Sequence, residues 1–230
     1  MLFSDEQKNI HEKRIRSSLI DSSIDGMKEK QKNNISTKLG ILTLQKQLQV
    51  LKLREVVVLI SLILAGTLGR ILIHGFSIEP ITFMAILAGW LFGSKKGFAV
   101  GSSSLFISNF FVFGGQGIWT IFQMIGFGLA GVLGGLLRKK ATIFECGLIM
   151  LISTLSFEII MNISSLFFIP NTIFGIFLLS LPFSLVHVTS NLLFSTLLPK
   201  LKKFVEKKGE FNLEEICKEG IKELKCKIKS

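Results

Sequence analysis

Charge is what the middle of this 230-residue chain lacks. From Val56 to Leu198 there is no aspartate, and only three Glu and six Lys or Arg stand in 143 positions. Soluble domains carry about one charged residue in four. A water-soluble single domain is therefore excluded, and a polytopic membrane protein with two solvated tails is expected. Cysteine is scarce as well. Cys146 opens an apolar segment, while Cys217 and Cys226 lie in the charged tail with no CxxC pair and no histidine partner. Neither a disulfide framework nor a zinc site is indicated, and no cofactor is expected. No secretory signal is expected either, because the first 50 residues are polar and hold no apolar core behind a basic start.

The formal net charge of +11 sits in the tails. Eleven basic residues precede Val56 and ten follow Leu198, interleaved with acidic ones. A nucleic-acid arm would be a purer basic run. The mixed tails fit a cytoplasmic surface beside anionic lipid, with no nucleic acid as partner.

A helix needs about 20 apolar residues to cross the hydrocarbon layer. Six segments qualify between polar or Gly/Pro interruptions: 56–74, 80–94, 97–113, 118–137, 143–168 and 172–198. With the amino terminus inside, the cytoplasmic connections 94–96 and 138–142 hold Lys95, Lys96, Arg138, Lys139 and Lys140. The outer connections, around 75–79, 114–117 and 169–171, hold no Lys or Arg. This asymmetry predicts an all-α membrane protein with six transmembrane helices and both termini cytoplasmic, a multi-pass protein of the cell membrane. Three regions follow. Residues 1–54 form a charged extension with a juxtamembrane amphipathic segment (Ile35, Leu39, Leu42, Leu48, Leu51). Residues 55–199 form the membrane domain. Residues 200–230 form a basic cytoplasmic tail, in which Asn212 and Glu215 make a capping box for a helix carrying Leu213, Cys217, Ile221, Leu224 and Ile228.

Seventeen of the 21 glycines fall within 56–198. Small residues let membrane helices approach closely. Gly97, Gly101, Ser104 and Ser108 form one such side, Gly128, Gly131 and Gly135 another, and internal packing is the plain expectation for both. Ser61, Ala65 and Gly69 in the first segment suit either internal packing or a groove for another membrane subunit.

Polar residues within the spans are the candidate site. Arg70, His74, Glu79, Thr82, Asn109, Gln116, Trp119 and Gln123 lie in the outer half. Glu158 and Asn162 share one helix face, and His187 and Asn191 share another. A mid-bilayer ionisable group costs roughly 2.5–3.5 kcal/mol and normally meets a partner or a wet cavity. Glu158 and His187 thus either bond each other structurally or floor a binding pocket. Pro182 is expected to free the Leu178 carbonyl and kink the helix before His187. Phe110, Phe111, Phe113, Trp119 and Phe122 make either an interfacial belt or a stacking wall for a flat ligand.

The stretches Phe92-Gly-Ser-Lys-Lys-Gly-Phe-Ala-Val-Gly101, Ser108-Asn-Phe-Phe through Trp119-Thr-Ile-Phe-Gln-Met124, Gly128-Leu-Ala-Gly-Val-Leu-Gly-Gly-Leu-Leu137 and Leu181-Pro-Phe-Ser-Leu-Val-His187 resemble the substrate-specific S component of energy-coupling factor (ECF) transporters. The likeness covers roughly residues 55–200. It implies a six-helix subunit that captures a vitamin or related micronutrient at the outer face. It further implies, as partners, a transmembrane coupling subunit and two cytoplasmic ATPases. A cobalamin-like ligand is preferred, with a pyrimidine or deazapurine precursor next. Ser61, Ala65 and Gly69 match in size the small-residue patch by which such proteins dock. Ser184 stands where close relatives are expected to carry an acidic residue.

Two other classes compete. Rhomboid-like intramembrane proteases pair a serine with a histidine, which Gly101-Ser-Ser-Ser104 and His187 imitate, but the usual Gly-x-Ser-Gly needs glycine where Ser104 stands. A stand-alone permease is the other, although no inverted repeat or broken-helix pair is evident. No phosphate loop is present, so the expected protein is not an enzyme and draws its energy from a partner.

Overall fold

The computed structural model describes residues 30–31, 38, 40–42, 45–73, 78–167 and 172–209. Among the described residues seven helices follow one another: α1 (Gly40–Leu72), α2 (Pro80–Phe92), α3 (Ser94–Ser108), α4 (Trp119–Gly134), α5 (Ile143–Ser165), α6 (Ile173–Ser195) and α7 (Leu198–Gly209). No strand occurs among the described residues. Three helices, α1, α5 and α6, are long and apolar enough to cross a membrane. The other three expected spans are shorter, at 13 residues for α2, 15 for α3 and 16 for α4.

Local chemistry sets the helix ends. Pro80, whose missing N–H costs nothing in a first turn, begins α2. Gly93, at φ 94°, is the whole connection between α2 and α3. The basic turn expected at 94–96 is thus the first turn of α3, and Lys96 is offset there by an ion pair with Glu55 of α1. Thr142 and Glu145 close a capping box at α5, with Thr142 N donating to Glu145 Oε2 at 2.7 Å. Thr172 Oγ1 accepts from Gly175 N at 3.1 Å to start α6. Pro182 lies inside α6, which continues through it.

The chain divides into two compact units, residues 1–51 with 212–230 and residues 52–211. In the first, the described residues are helical and almost all exposed. Leu42, Leu48 and Leu51 of the expected juxtamembrane segment belong to α1 itself. Ile35, Leu39 and the helix expected from Asn212 to Ile228 lie outside the described residues. The second unit reaches beyond the boundary expected at 199, because α7 packs into it through Leu198 and Lys202, both buried.

Within the second unit, α1 to α6 alternate in direction. One end gathers the cations: Lys96 meets Glu55, Trp90 Nε1 donates to Arg138 O at 2.8 Å, Arg138 Nε reaches Glu145 at 2.8 Å, and Lys202 Nζ donates to Lys139 O at 2.6 Å. The other end joins Arg70 of α1, Glu79 before α2, Asn109 after α3 and Gln123 of α4. Thr154 pairs with Asn191 and Glu158 with His187, so α5 and α6 run antiparallel.

The short helices form the interior. Ten of the 13 residues of α2 are buried, with Ile86, Leu87 and Ala88 in a core that includes Val100, Ala130 and Met150. The long helices turn apolar faces outward: Val57, Ile60, Leu64, Leu68 and Leu72 on α1, and Leu148, Ile152, Leu155, Ile159 and Ile163 on α5. Such stripes suit contact with lipid, since water would penalise them heavily. Where α2, α3 and α4 meet, backbone touches backbone. A Cβ at Gly89 or Gly97 would overlap the Gly131 carbonyl, and one at Gly131 would overlap Gly97. The glycine sides of α3 and α4 are therefore internal packing.

Candidate functional site

The polar residues of the helical body fall into two groups. The outer group is built on Arg70, near the last turn of α1 and 7% exposed. Its Nη1 donates to Ser108 Oγ at 2.9 Å and to Asn109 Oδ1 at 2.5 Å. Its Nε lies 3.4 Å from Glu79 Oε2, an ion pair without hydrogen-bond geometry. Asn109, 1% exposed at the end of α3, passes the connection to α4 by donating to Thr120 Oγ1 at 3.2 Å and Gln123 Oε1 at 3.0 Å. Thr120 also accepts from Gly117 N. Four elements are thereby tied together, and the arginine's charge is held by one carboxylate and two neutral oxygens.

The second group lies between α5 and α6. Glu158 Oε2 accepts from Ser184 Oγ at 2.5 Å, and its Oε1 is 2.6 Å from His187 Nδ1. One turn along α6, Asn191 Nδ2 donates to Thr154 Oγ1 at 2.9 Å, and Thr154 in turn donates to Met150 O. His187 is 3% exposed and Asn191 0%, yet His187 Nε2 and Asn191 Oδ1 have no hydrogen-bond partner. Of the two readings of Glu158 and His187, the hydrogen bond is present. Asn162 is buried one turn further along α5.

Asn109 and Gln123 belong to the outer group, and Glu158 and His187 to the inner one. The path from Gln123 to His187 runs through aromatic rings. Phe127, one turn after Gln123, lies 4.4 Å from Phe157 by ring centroids, and Phe157 meets the His187 ring edge-on at 5.4 Å.

Other expected residues lie at the margin. Gln116 is exposed and donates to Phe106 O at 2.7 Å. The Trp119 ring covers Gly117. His74 lies outside the described residues. Phe110, Phe111 and Phe113 are exposed, as an interfacial belt requires, whereas Phe122 stacks on Phe167 at 6.3 Å. Ser61 and Ala65 are exposed, and Gly69 is half-buried against Pro80. Ser184 and Thr154 were missed as members of the inner group. Their signal was available in the spacing, three residues before His187 and four before Glu158.

Chemically, the inner group can hold a proton and offer two polar atoms to a guest. It is not a nucleophile–base pair. Ser104 Oγ donates to Ile63 O at 3.3 Å, Ser184 serves Glu158, and no hydroxyl reaches Nε2. No cluster of three or more His, Cys, Asp or Glu capable of holding a metal ion occurs among the described residues.

Residues 51–211 match the model of DUF6580, a family of unknown function. The match coincides almost residue for residue with the compact unit 52–211. No curated protein and no solved structure matches the chain.

Proposed function

The chain belongs to the DUF6580 family, and we propose that it is a solute-capturing membrane subunit, the substrate-binding S component of an ECF-type importer. In this reading α1 to α6 cross the cell membrane six times, with both termini and the cationic end in the cytoplasm. The positive-inside rule supports that orientation, because Lys96, Arg138, Lys139 and Lys202 meet at one end while the other, among the described residues, holds the paired Arg70 as its one Lys or Arg.

One observation carries the capture reading. A mid-helix face of α6 presents two buried polar atoms without partners, inside a bundle whose outside is apolar. Buried polar groups are ordinarily bonded, and leaving one unpaired costs about 1–3 kcal/mol. A face that pays this is one that awaits a guest. The guest is a vitamin-like small molecule, and energy comes from a transmembrane coupling subunit with two cytoplasmic ATPases. Exposed Ser61 and Ala65, with Gly69 above them, supply a smooth stripe where that subunit docks.

A stand-alone permease is the second reading, favoured by the part-buried Glu158–His187 pair, since proton relays in carriers use such groups. Purification followed by mass spectrometry of whatever is released on denaturation tests capture, and a stoichiometric small molecule is expected. Uptake by the protein alone in vesicles, without ATP or partners, would select the permease instead.

A further inference from the structure

Pro199, which has no N–H to extend the α6 ladder, sets α7 apart from α6 after the short turn at Thr196 and Leu197. The new helix sorts its residues by face, at three- and four-residue spacing. Leu198, Leu201, Lys202 and Val205 turn toward the bundle, where Leu198 and Leu201 join the core around Met150. Lys200, Lys203 and Lys207 are exposed on the opposite side. Leu197 and Phe204, 48% and 58% exposed, border that row, one turn either side of Lys200.

Lys202 fixes how this face is presented. It is 7% exposed, its Nζ donates to Lys139 O at 2.6 Å and lies 4.6 Å from the centroid of the Trp90 ring, and Glu206 pairs with it at 3.0 Å. Trp90 in turn donates to Arg138 O. One buried ammonium thus holds α2, the α4–α5 connection and α7 together. Glu206 is the one acidic residue of α7, and its carboxylate is engaged by Lys202. No acid on α7 is left to offset the exposed row, and Lys139 and Lys140, exposed on the connection that Lys202 grips, add to its field. A row of lysines attracts anions, and the apolar strip beside it selects among them. A free phosphate or an acidic soluble protein gains little from Leu197 and Phe204, which water penalises. A phospholipid meets both features at once.

We propose that the exposed face of α7 is a binding site for an anionic phospholipid, whose phosphate lies against Lys200, Lys203 and Lys207 and whose acyl chains cover Leu197 and Phe204. Lys202 is a positioning residue, since it docks the helix from the side that faces the bundle. The site rests on the membrane placement proposed above and not on solute capture.

The test uses the full-length protein in nanodiscs of equal parts phosphatidylglycerol and phosphatidylcholine, with native mass spectrometry counting the lipids that stay bound on release. Phosphatidylglycerol is expected to be retained in preference to phosphatidylcholine. Lys200→Gln, Lys203→Gln and Lys207→Gln together lower that preference at least about tenfold. A charge-matched variant, Lys38→Gln with Lys46→Gln and Lys52→Gln, removes three other exposed lysines and stays within about twofold of the parent. Unfolding midpoints of both variants match the parent, the positions being exposed. Lys202→Met lowers the preference although the row is intact, and Lys202→Arg, which keeps a cation for the Lys139 carbonyl and the Trp90 ring, restores it. Glycerophosphoglycerol, the same headgroup without acyl chains, leaves the lipid bound at millimolar concentration. Equal loss in the two triple variants, or a preference that survives neutralising the row, overturns the site. Displacement by the chain-free headgroup overturns the lipid as occupant. So does a row indifferent to lipid yet required for uptake with the coupling subunits, which assigns the face to a protein partner. Nanodiscs offer the same lipid to both faces, so the outcome is independent of which end is cytoplasmic. Lipid retained with no solute released on denaturation retires capture alone and supports the site.

Discussion

Arg70 and Asn109 show how much rests on single polar residues in an apolar body. A buried guanidinium costs several kcal/mol unless its donors and its charge are met. Here Ser108, Asn109 and Glu79 share that task. Asn109 has a second role, donating across to Thr120 and Gln123. Replacing it with alanine strands one guanidinium N–H and the Gln123 acceptor together, so Asn109→Ala is expected to destabilise the protein by about 1–3 kcal/mol. Gln123→Ala, at a half-buried position with one of these bonds, should cost about 0.5–1.5 kcal/mol. Gln116→Ala, exposed, should lie within about 0.5 kcal/mol of the parent. Thermal unfolding in detergent measures the order. Equal effects for Asn109 and Gln116 would refute the view that the outer group is a structural tie. Because Asn109 and Gln123 satisfy each other, stability, more than solute affinity, is the quantity they should move.

Helices make the next scale, and there the glycines decide. Gly131 of α4 lies against Gly97 of α3 and Gly89 of α2 with no room for a methyl group. Gly131→Ala must push backbones apart, and overpacking of this kind costs about 1–3 kcal/mol or more. Folded yield and unfolding midpoint should fall sharply. Ala65→Leu, on the exposed stripe of α1, should leave both unchanged while abolishing uptake with the coupling subunits. If Gly131→Ala is tolerated, the close approach of α3 and α4 is not what holds the interior together. The segments of these helices were legible in the sequence, because apolar runs and Pro or Gly interruptions report burial directly. Their lengths were less so. The polar stretch Ser94-Lys-Lys looked like a loop, yet Gly93 alone makes the turn and Glu55 offsets Lys96. The segment expected at 97–113 ends as a helix at Ser108, where Asn109 leaves for its bonds with α4. Spacing put Glu158 and His187 on faces that meet, since four-residue periodicity is a local property. It could not reveal that the Phe157 ring packs against both Phe127 and His187, because ring placement depends on tertiary packing.

For the molecule as a whole, the question is which end faces the cytoplasm. Its two ends differ in chemistry. One carries Lys96, Arg138, Lys139 and Lys202 in contact with neighbouring elements, and Lys202 lies 4.6 Å from the centroid of the Trp90 ring. The other carries exposed aromatics, with Phe113 95% exposed in the turn that follows α3. Cations resist translocation and aromatic rings favour the lipid–water boundary, so the proposed arrangement puts the basic end inside and Phe113 outside. Labelling with a membrane-impermeant maleimide tests this in whole cells. The background should carry Cys217→Ser and Cys226→Ser, while Cys146, fully buried, can remain. Phe113→Cys is expected to label in intact cells, and Lys140→Cys only after permeabilisation. These two positions flank α4, a helix of 16 residues that falls short of the length a perpendicular span usually needs. Labelling of both from the same side would mean that α4 does not cross. That outcome would remove the six-span arrangement on which docking through α1 and entry from outside both depend.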